Sequence, residues 1–555
     1  MILEQIDIVG FRGINRLSLT LEDNNVLIGE NAWGKTSLLD ALSLGFAPQA
    51  MAPAFRKQDF FQPAGEKAWR RLHIRFYFIE ERPGDAFTHR YRPLRPALYR
   101  RGEGHLHRLC YQLAAQRDAQ GNIHSSQAFI DGQGQPLADA ATLEAIALLR
   151  RLHPVLRLRD ARIARQNSGT NGLPLRAAGQ LADELNLLMS HWRHAQPLPE
   201  EAMRQGVKTL QQLMEHYFAV QPAGSGLEHH PLPPDARASR QSWRHLDAIN
   251  RMLVDSDRRS RQTLLRMFAL LLQARGGEAL DPLARPLLVL EEPETRLHPI
   301  MLSVASGVLE LLPLQKIITT NSSELLSQTP IEQLCRLVRS TESINAWRIG
   351  SQGMNAEESR RIAFHIRFNR PSALFARCWL LVEGETEVWI INELARQSGF
   401  HFAAEGIRVI EYAQAGLRPL LRFAQRMGIG WHVLTDGDAA GQKYAATARS
   451  LGPDSAPEAI ARYVTQLPAL DMEHFLYKAG FSEVYHRIAR LPPGVPAGMH
   501  KAITKAIHQA SKPGLAIAVA LDAAERGRSA IPPLLQQMFA EVLQQAQLNS
   551  DEKDL

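Results

Sequence analysis

Residues 24–39 read NNVLIGENAWGKTSLL. Gly29-Glu30-Asn31-Ala32-Trp33-Gly34-Lys35-Thr36 fits G-x-x-x-x-G-K-[ST] at every fixed position. An apolar run ending in glycine comes before it. A helical pattern follows, with Leu38, Leu39, Leu42 and Leu44 as its apolar positions. Glycines at these places let backbone N–H groups wrap a chain of phosphates, and the helix N-terminus adds partial positive charge. Lys35 is placed to reach the β- and γ-phosphates, and the Thr36 hydroxyl to ligand Mg²⁺. A strand, a phosphate loop and a helix in this order imply an α/β nucleotide-binding fold.

Such a loop needs an acid to hold Mg²⁺ and a base to aim water. The apolar strand Leu287-Leu288-Val289-Leu290 ends in Glu291-Glu292 and supplies both. Glu291 is assigned to the metal–water shell and Glu292 to the catalytic base. Upstream, IDIVGF, LSLTLE and RRLHIRFYFIEE alternate as strands. Residues 176–220 and 241–275 carry helical periodicity, and 223–236 read as a Gly/Pro loop. A polar stretch at 351–361 and Asn369-Arg370-Pro371 mark a boundary. Beyond it WLLVEGE, IRVIEYA and WHVLTDGD are strands separated by helix-like stretches, a second α/β unit.

Composition narrows the classes. With 555 residues, about three or four domains are expected. Hydrophobic residues at 45% and charged residues at 22% exclude wholesale disorder. Cys110, Cys335 and Cys378 form no CxxC, which excludes a disulfide scaffold and a cysteine zinc site. No apolar run reaches the ~18 residues of a membrane span, and the start resembles no signal peptide. A reduced cytoplasm is the default expectation. The formal charge is +7, with 53 Arg against 11 Lys. Guanidinium pairs with phosphate in a bidentate fork, so the excess is compatible with a polyanionic partner.

In the second unit Glu383-Gly384 follows an apolar strand, with Glu387 four residues on in the first turn of a helix. Asp436-Gly437-Asp438 follows a later strand. Residues two apart in extended chain face the same way, so both aspartates can serve one site. Crowded strand-end carboxylates are what hard divalent cations require.

The long gap between phosphate loop and acidic strand, with LEEPETRLHP and ITTNS, resembles ATPases of the ABC/SMC/RecF kind. In those, two heads sandwich ATP. The resemblance places a signature segment at 256–263 (SDRRSRQT), which lacks the usual Ser-Gly-Gly core. It puts Asn321 where a switch histidine usually stands, and Gln58 in a glutamine loop. The candidate nucleotide-binding residues are then Gly29, Asn31, Gly34, Lys35, Thr36, Ser37, Glu291 and Asn321. The later acids resemble a Toprim domain. The whole order resembles the OLD (overcoming lysogenization defect) family of ATP-dependent endonucleases over roughly residues 1–520. That resemblance adds Glu473 in LDMEHFL and Lys512 in Ser-Lys-Pro-Gly. It implies that Glu383, Glu387, Asp436, Asp438 and Glu473 hold metal, with Glu383, Asp436 and Lys512 catalytic.

The expected architecture is an ABC/SMC/RecF-like P-loop ATPase with a helical insertion, followed by a Rossmann-like Toprim domain. Its boundaries are 1–165 and 251–360 for the two ATPase lobes, 166–250 for an insertion that dimerises the chain, 371–525 for the Toprim domain and 526–555 for a helical tail. The expected cofactors are ATP and Mg²⁺ or Mn²⁺. The expected partners are DNA and a second copy of the chain, with no membrane. The expected function is ATP-regulated cleavage of DNA. The alternative is a RecF/SMC-like DNA-binding ATPase with a non-catalytic Toprim domain. A strand-passing topoisomerase, which needs an attacking tyrosine on a helix-turn-helix domain, and a primase or RNA-cutting enzyme are more distant readings.

Overall fold

The computed structural model describes residues 1–30, 33–47, 53–65, 67–100, 104–137, 140–158, 281, 283–295, 302–303, 306–307, 310, 312, 314–350, 353–452, 462–491 and 498–548. Asn31, the 256–263 segment and the helical stretches expected at 166–250 and 241–275 lie outside these. The chain divides into two compact units. One comprises Met1–Gln328 with Glu342–Ala346; the other comprises Thr329–Thr341 with Trp347–Leu555.

In the first unit, β1 (Ile2–Phe11) and β2 (Ile14–Thr20) form an antiparallel hairpin. After β2 come β3 (Asn24–Ile28) and the helix α1 (Lys35–Gly45). Next are β4 (Arg71–Ile79), β5 (His107–Arg117) and β6 (Ile123–Ile130), then α2 (Ala140–Leu152) and β7 (Val155–Leu158). β4 pairs antiparallel with β1, β5 with β4, and β6 with β5. Alternating burial along β1 and β4 puts Ile6, Ile8, Ile74 and Phe76 into a core at 0% exposure.

The site-forming part is different. β8 (Leu287–Glu291) and β9 (Gln315–Thr319) join β3 and β7 in the parallel order β3-β9-β8-β7. Leu287 to Leu290 are all buried, as a strand covered on both faces requires. The parallel arrangement brings the carboxyl ends of β3, β9 and β8 to one edge, where such sheets bind ligands. The phosphate loop leaves β3 there, Thr320-Asn321 leave β9, and Glu291-Glu292 end β8. Because β9 lies between β3 and β8, Asn321 falls between the loop and the paired acids.

The second unit holds β10 (Cys378–Val382), α3 (Glu385–Gln397), β11 (Ile407–Glu411), α4 (Leu417–Arg426), β12 (Gly430–Thr435), α5 (Ala439–Leu451) and β13 (Val464–Gln466). The strands are parallel in the order β11-β10-β12-β13. From β10 the chain winds first to one side and then back to the other. The crevice between the ends of β10 and β12 is therefore a topological switch point, the usual ligand position in open α/β sheets. Glu383 leaves one wall and Asp436 the other. A short helix α6 (Met472–Leu476), the long α7 (Met499–Arg526) and α8 (Pro533–Leu548) complete the unit. α8 is no detached tail: Leu535, Met538, Phe539 and Val542 are fully buried in the core that holds Leu380 and Val382. No described helix is long and apolar enough to cross a membrane.

Candidate functional site

The phosphate loop carries conformations that only glycine tolerates easily. Gly34 caps α1 at φ 83°. A Cβ there would stand 2.9 Å from both Ile14 and Ile344 side-chain atoms, so space as well as backbone demands glycine. Lys35, the first helical residue, is 3% exposed. Burial lowers its ammonium pKa below the usual lysine value, while the charges of Glu292 and Glu294 pull the other way. Its Nζ donates to the Gly29 carbonyl at 2.6 Å and to Asn321 Oδ1 at 2.6 Å. Asn321 Nδ2 in turn donates to Glu292 Oε1 at 3.0 Å, and its backbone N–H to Glu294 Oε1 at 2.6 Å. Asn321 thus joins the loop lysine to the assigned base, using its acceptor toward one and its donor toward the other. Glu292 sits at φ 44°, a left-handed conformation that β-carbon residues adopt at a cost of roughly 1–3 kcal/mol. Thr36 is exposed in the first turn of α1, and Ser37 Oγ accepts from the Gly13 N–H at 3.4 Å. Gln58 is exposed on a short turn, Lys57–Asp59.

Glu291 has a partner that sequence reasoning did not find. Arg157, in β7, donates Nε at 3.1 Å and Nη2 at 2.7 Å to Glu291 Oε2. Its Nη1 pairs with Asp40 of α1, and Asp40 also pairs with Arg12. The Arg157 and Glu291 side chains are 10% and 12% exposed. Arg157→Met leaves the largely buried Glu291 carboxylate without its cation, while Asp40 keeps Arg12, and unpairing of this kind costs about 3 kcal/mol. Urea denaturation should register that loss; an unshifted transition would show that Arg157 is dispensable to the packing. The sequence signal was the basic crowd at 150–166, six Arg with one acid.

In the second unit the candidate ligands come from four places. Glu383 follows β10. Glu387 lies in the first turn of α3 and accepts from the Gly384 N–H at 2.9 Å, one half of a capping box. Asp438 caps α5 by accepting from the Gly441 N–H at 2.6 Å. A Cβ on Gly441 would stand 2.1 Å from the Asp436 carbonyl, so glycine lets α5 seat against the backbone that carries Asp436. Glu473, in α6, is 6% exposed and pairs with Lys512 at 2.9 Å. Lys512 stands at a break in α7, where Ser511 adopts φ 61° and Pro513 follows.

These groups feel one another. Burial, then the charges of Glu383, Glu387, Asp471 and Glu473, push the Asp436 carboxyl up to about 8. Burial, then Asp438 and Glu387, raises Glu383, which Lys512 partly offsets. Burial first, with Glu473 contributing, raises Glu387. Burial draws the Lys512 ammonium down, but its bond to Glu473 and the surrounding acids outweigh this and raise it. The structure thus gathers all five acids and the lysine that the sequence singled out. It adds Asp471, the cap of α6, which accepts from His474, and buried Tyr412. The Tyr412 hydroxyl, Thr435 Oγ1 and Glu473 Oε2 are buried without a hydrogen-bond partner.

Among the described residues no three acids, imidazoles or thiolates are arranged to hold one ion. Glu387, Asp438 and Glu473 are each engaged through one oxygen, by a helix-capping N–H or by Lys512. The gathered donors are nonetheless carboxylate oxygens, the set that Mg²⁺ or Mn²⁺ prefers, and a carboxylic acid raised by burial and by neighbouring acids is one that a cation would relieve.

Residues 1–373 match the family described as protein of unknown function (DUF2813). Residues 374–438 match the overcoming lysogenization defect protein-like TOPRIM domain. A curated relative, the uncharacterized protein YbjD of Escherichia coli, is 53% identical over 561 aligned residues, covering 99% of this chain and 100% of that one. Among solved structures, the C-terminal region of the Burkholderia pseudomallei OLD protein is 16% identical, covers 31% of this chain and 99% of its own, and superposes with a TM-score of 0.26. The SMC head domain from Thermotoga maritima is 12% identical, covers 63% of this chain and 99% of its own, with a TM-score of 0.27. The chain belongs to the DUF2813 family, its ATPase-like N-terminal region followed by an OLD-like Toprim domain.

Proposed function

We propose that the protein is an ATP-regulated, divalent-metal-dependent endonuclease acting on DNA. The observation that carries this reading is the gathering of Glu383, Glu387, Asp436, Asp438 and Glu473 with Lys512 at the switch point of a parallel sheet. Five solvated acids at unrelated strand ends would not couple in this way, nor bury Glu473 beside a lysine.

In the nucleotide site, Gly29, Gly34 and the N-terminus of α1 cradle phosphates, with Asn31 as a further loop contact. Lys35 turns from Asn321 to the β/γ-phosphates, Thr36 and Glu291 serve the Mg²⁺ shell, and Ser37 supports the loop. Glu292 orients and deprotonates water, and Asn321 keeps hydrogen-bond contact with Glu292 but takes no proton. Asn321, standing where a proton-accepting histidine usually does, makes turnover slow.

In the Toprim site the five carboxylates would hold and orient the ions. A divalent ion held by Glu383, Glu387, Asp436, Asp438 and Glu473 would supply polarisation of the phosphoryl oxygen and a lowered pKa for the attacking water. Lys512 stands where negative charge develops in the transition state, in a partly desolvated site where an ammonium is most effective. A second copy of the chain completes the ATP sandwich. The deciding experiment incubates purified protein with supercoiled plasmid and, separately, with RNA, with Mg²⁺ or Mn²⁺ and with and without ATP. Nicking that EDTA stops supports the reading. Inertness on every nucleic acid, with ATP turnover intact, would leave a DNA-binding ATPase.

A further inference from the structure

Residues 360–370 read RRIAFHIRFNR, four arginines and no acid. Ala363–Phe368 within it form a π-helical turn, a rare geometry that recurs at functional sites. The turn buries His365 and Ile366 and leaves Phe364 and Phe368 60% and 64% exposed. Their rings are 6.3 Å apart and within 8° of parallel. A single exposed phenylalanine needs no explanation. Two parallel exposed rings between arginines form the combination that single-stranded nucleic acid uses, bases stacking on aromatics while phosphates meet cations. Arg360 and Arg361, 78% and 53% exposed, share one exposed carboxylate, Glu357. Exposed pairs of this kind are weak, so at least one guanidinium is available to phosphate.

The turn is fixed beside the acid site. His365 Nε2 donates to the Glu411 carbonyl at 2.8 Å, and Arg370 pairs with the Glu411 carboxylate at 2.6 Å. Glu411 ends β11 and pairs in register with Val382, the residue before Glu383. Ala413 N–H donates to the Glu383 carbonyl at 3.2 Å. The π turn is therefore about one strand spacing, ~4.8 Å, plus roughly a 5 Å helix radius from the strand that delivers Glu383.

We infer that Phe364 and Phe368 form a stacking platform for an unpaired base of the strand cut at the Toprim acids, so the substrate is single-stranded or locally unpaired DNA. This rests on the nuclease reading above. The test measures binding of full-length protein in EDTA, by anisotropy of a labelled deoxythymidine oligonucleotide and of a labelled duplex. The double substitution Phe364→Ala/Phe368→Ala should weaken single-strand binding at least tenfold, the equivalent of about 1.4 kcal/mol, with duplex binding little changed. Phe364→Trp/Phe368→Trp should restore it, and Phe364→Leu/Phe368→Leu should not. Wild-type affinity in the alanine or the leucine pair overturns the platform. So does light scattering in which wild type is a dimer and the alanine pair a monomer, since the rings would then be covered by a second copy. Plasmid nicking with Mn²⁺ is measured alongside. Phenylalanine-dependent binding without wild-type nicking sinks the nuclease reading and keeps the platform; nicking with phenylalanine-independent binding does the reverse.

Discussion

Asp436→Ala is expected to abolish metal-dependent nicking, by at least a thousandfold, or roughly 4 kcal/mol of transition-state stabilisation. Asp436 is raised by burial first and then by the charges of Glu383, Glu387, Asp471 and Glu473. Groups that act as one unit lose most of their effect with the first deletion, so Asp436→Ala/Glu383→Ala should be hardly worse than either single variant. Lys512→Ala should match it in cleavage. The Lys512 variant should keep ATP turnover and DNA binding within a few-fold of wild type, because every residue assigned to the nucleotide site lies in the other unit. The assay pairs plasmid nicking with phosphate release on the same preparations. Undiminished nicking by Asp436→Ala would place the activity elsewhere or in a contaminant. Loss of ATPase activity in Lys512→Ala would show that the role given to this lysine is misplaced.

Glu292→Gln should bind ATP normally and hydrolyse it a hundredfold or more slower, within the ~10²–10⁴ range of general acid–base catalysis. The substitution keeps the size of the side chain and an oxygen to accept from Asn321 Nδ2, and it removes only the base. Lys35→Ala should lose nucleotide binding itself, since it deletes the buried ammonium that joins Gly29 and Asn321. It should retain some basal, metal-dependent nicking while losing its modulation by ATP. On the proposed reading, nucleotide would act on cutting only by favouring one conformation over another, so removing nucleotide binding would alter the balance and not the chemistry. Wild-type turnover by Glu292→Gln would transfer the base to another residue. Nicking lost in Lys35→Ala as completely as in Asp436→Ala under every metal condition would make the two sites obligately coupled.

The phosphate loop was legible because its constraints are local. Gly34 and Lys35 are set by the path of one turn and the start of one helix, and both leave their mark within eight residues. Glu291 and Glu292 were legible as a pair with separate roles, but the contacts that hold each were not. Adjacent in sequence, one is held by Arg157 and the other turns at φ 44° toward Asn321. Arg157 lies 134 positions from Glu291, and only the parallel pairing of β7 with β8 brings them together. The same holds in the Toprim unit. Strand-end acids announce themselves, whereas Tyr412 reads as one more strand residue until β11 is laid beside β10. Lys512 is singled out in the sequence only by the resemblance and its Lys-Pro step, and it marks an interruption inside Met499–Arg526 that periodicity does not announce. The stretch 351–371 reads as a boundary because it is polar and ends in proline, and that reading hides the π turn at its centre.

The burial of α8 sets an order of events during synthesis. Phe539 and Val542 complete the same apolar core as Leu380 and Val382, so the Toprim sheet stays uncovered on that side until residues past 546 have been made. The nucleotide-binding unit has all of its residues once the ribosome passes Ala346. At about 5–20 residues per second the interval is roughly 10–40 s. Every nascent chain therefore has all the residues of its phosphate loop well before it has all those that pack around the Toprim acids, and a polysome carries first units whose second unit is still unfinished.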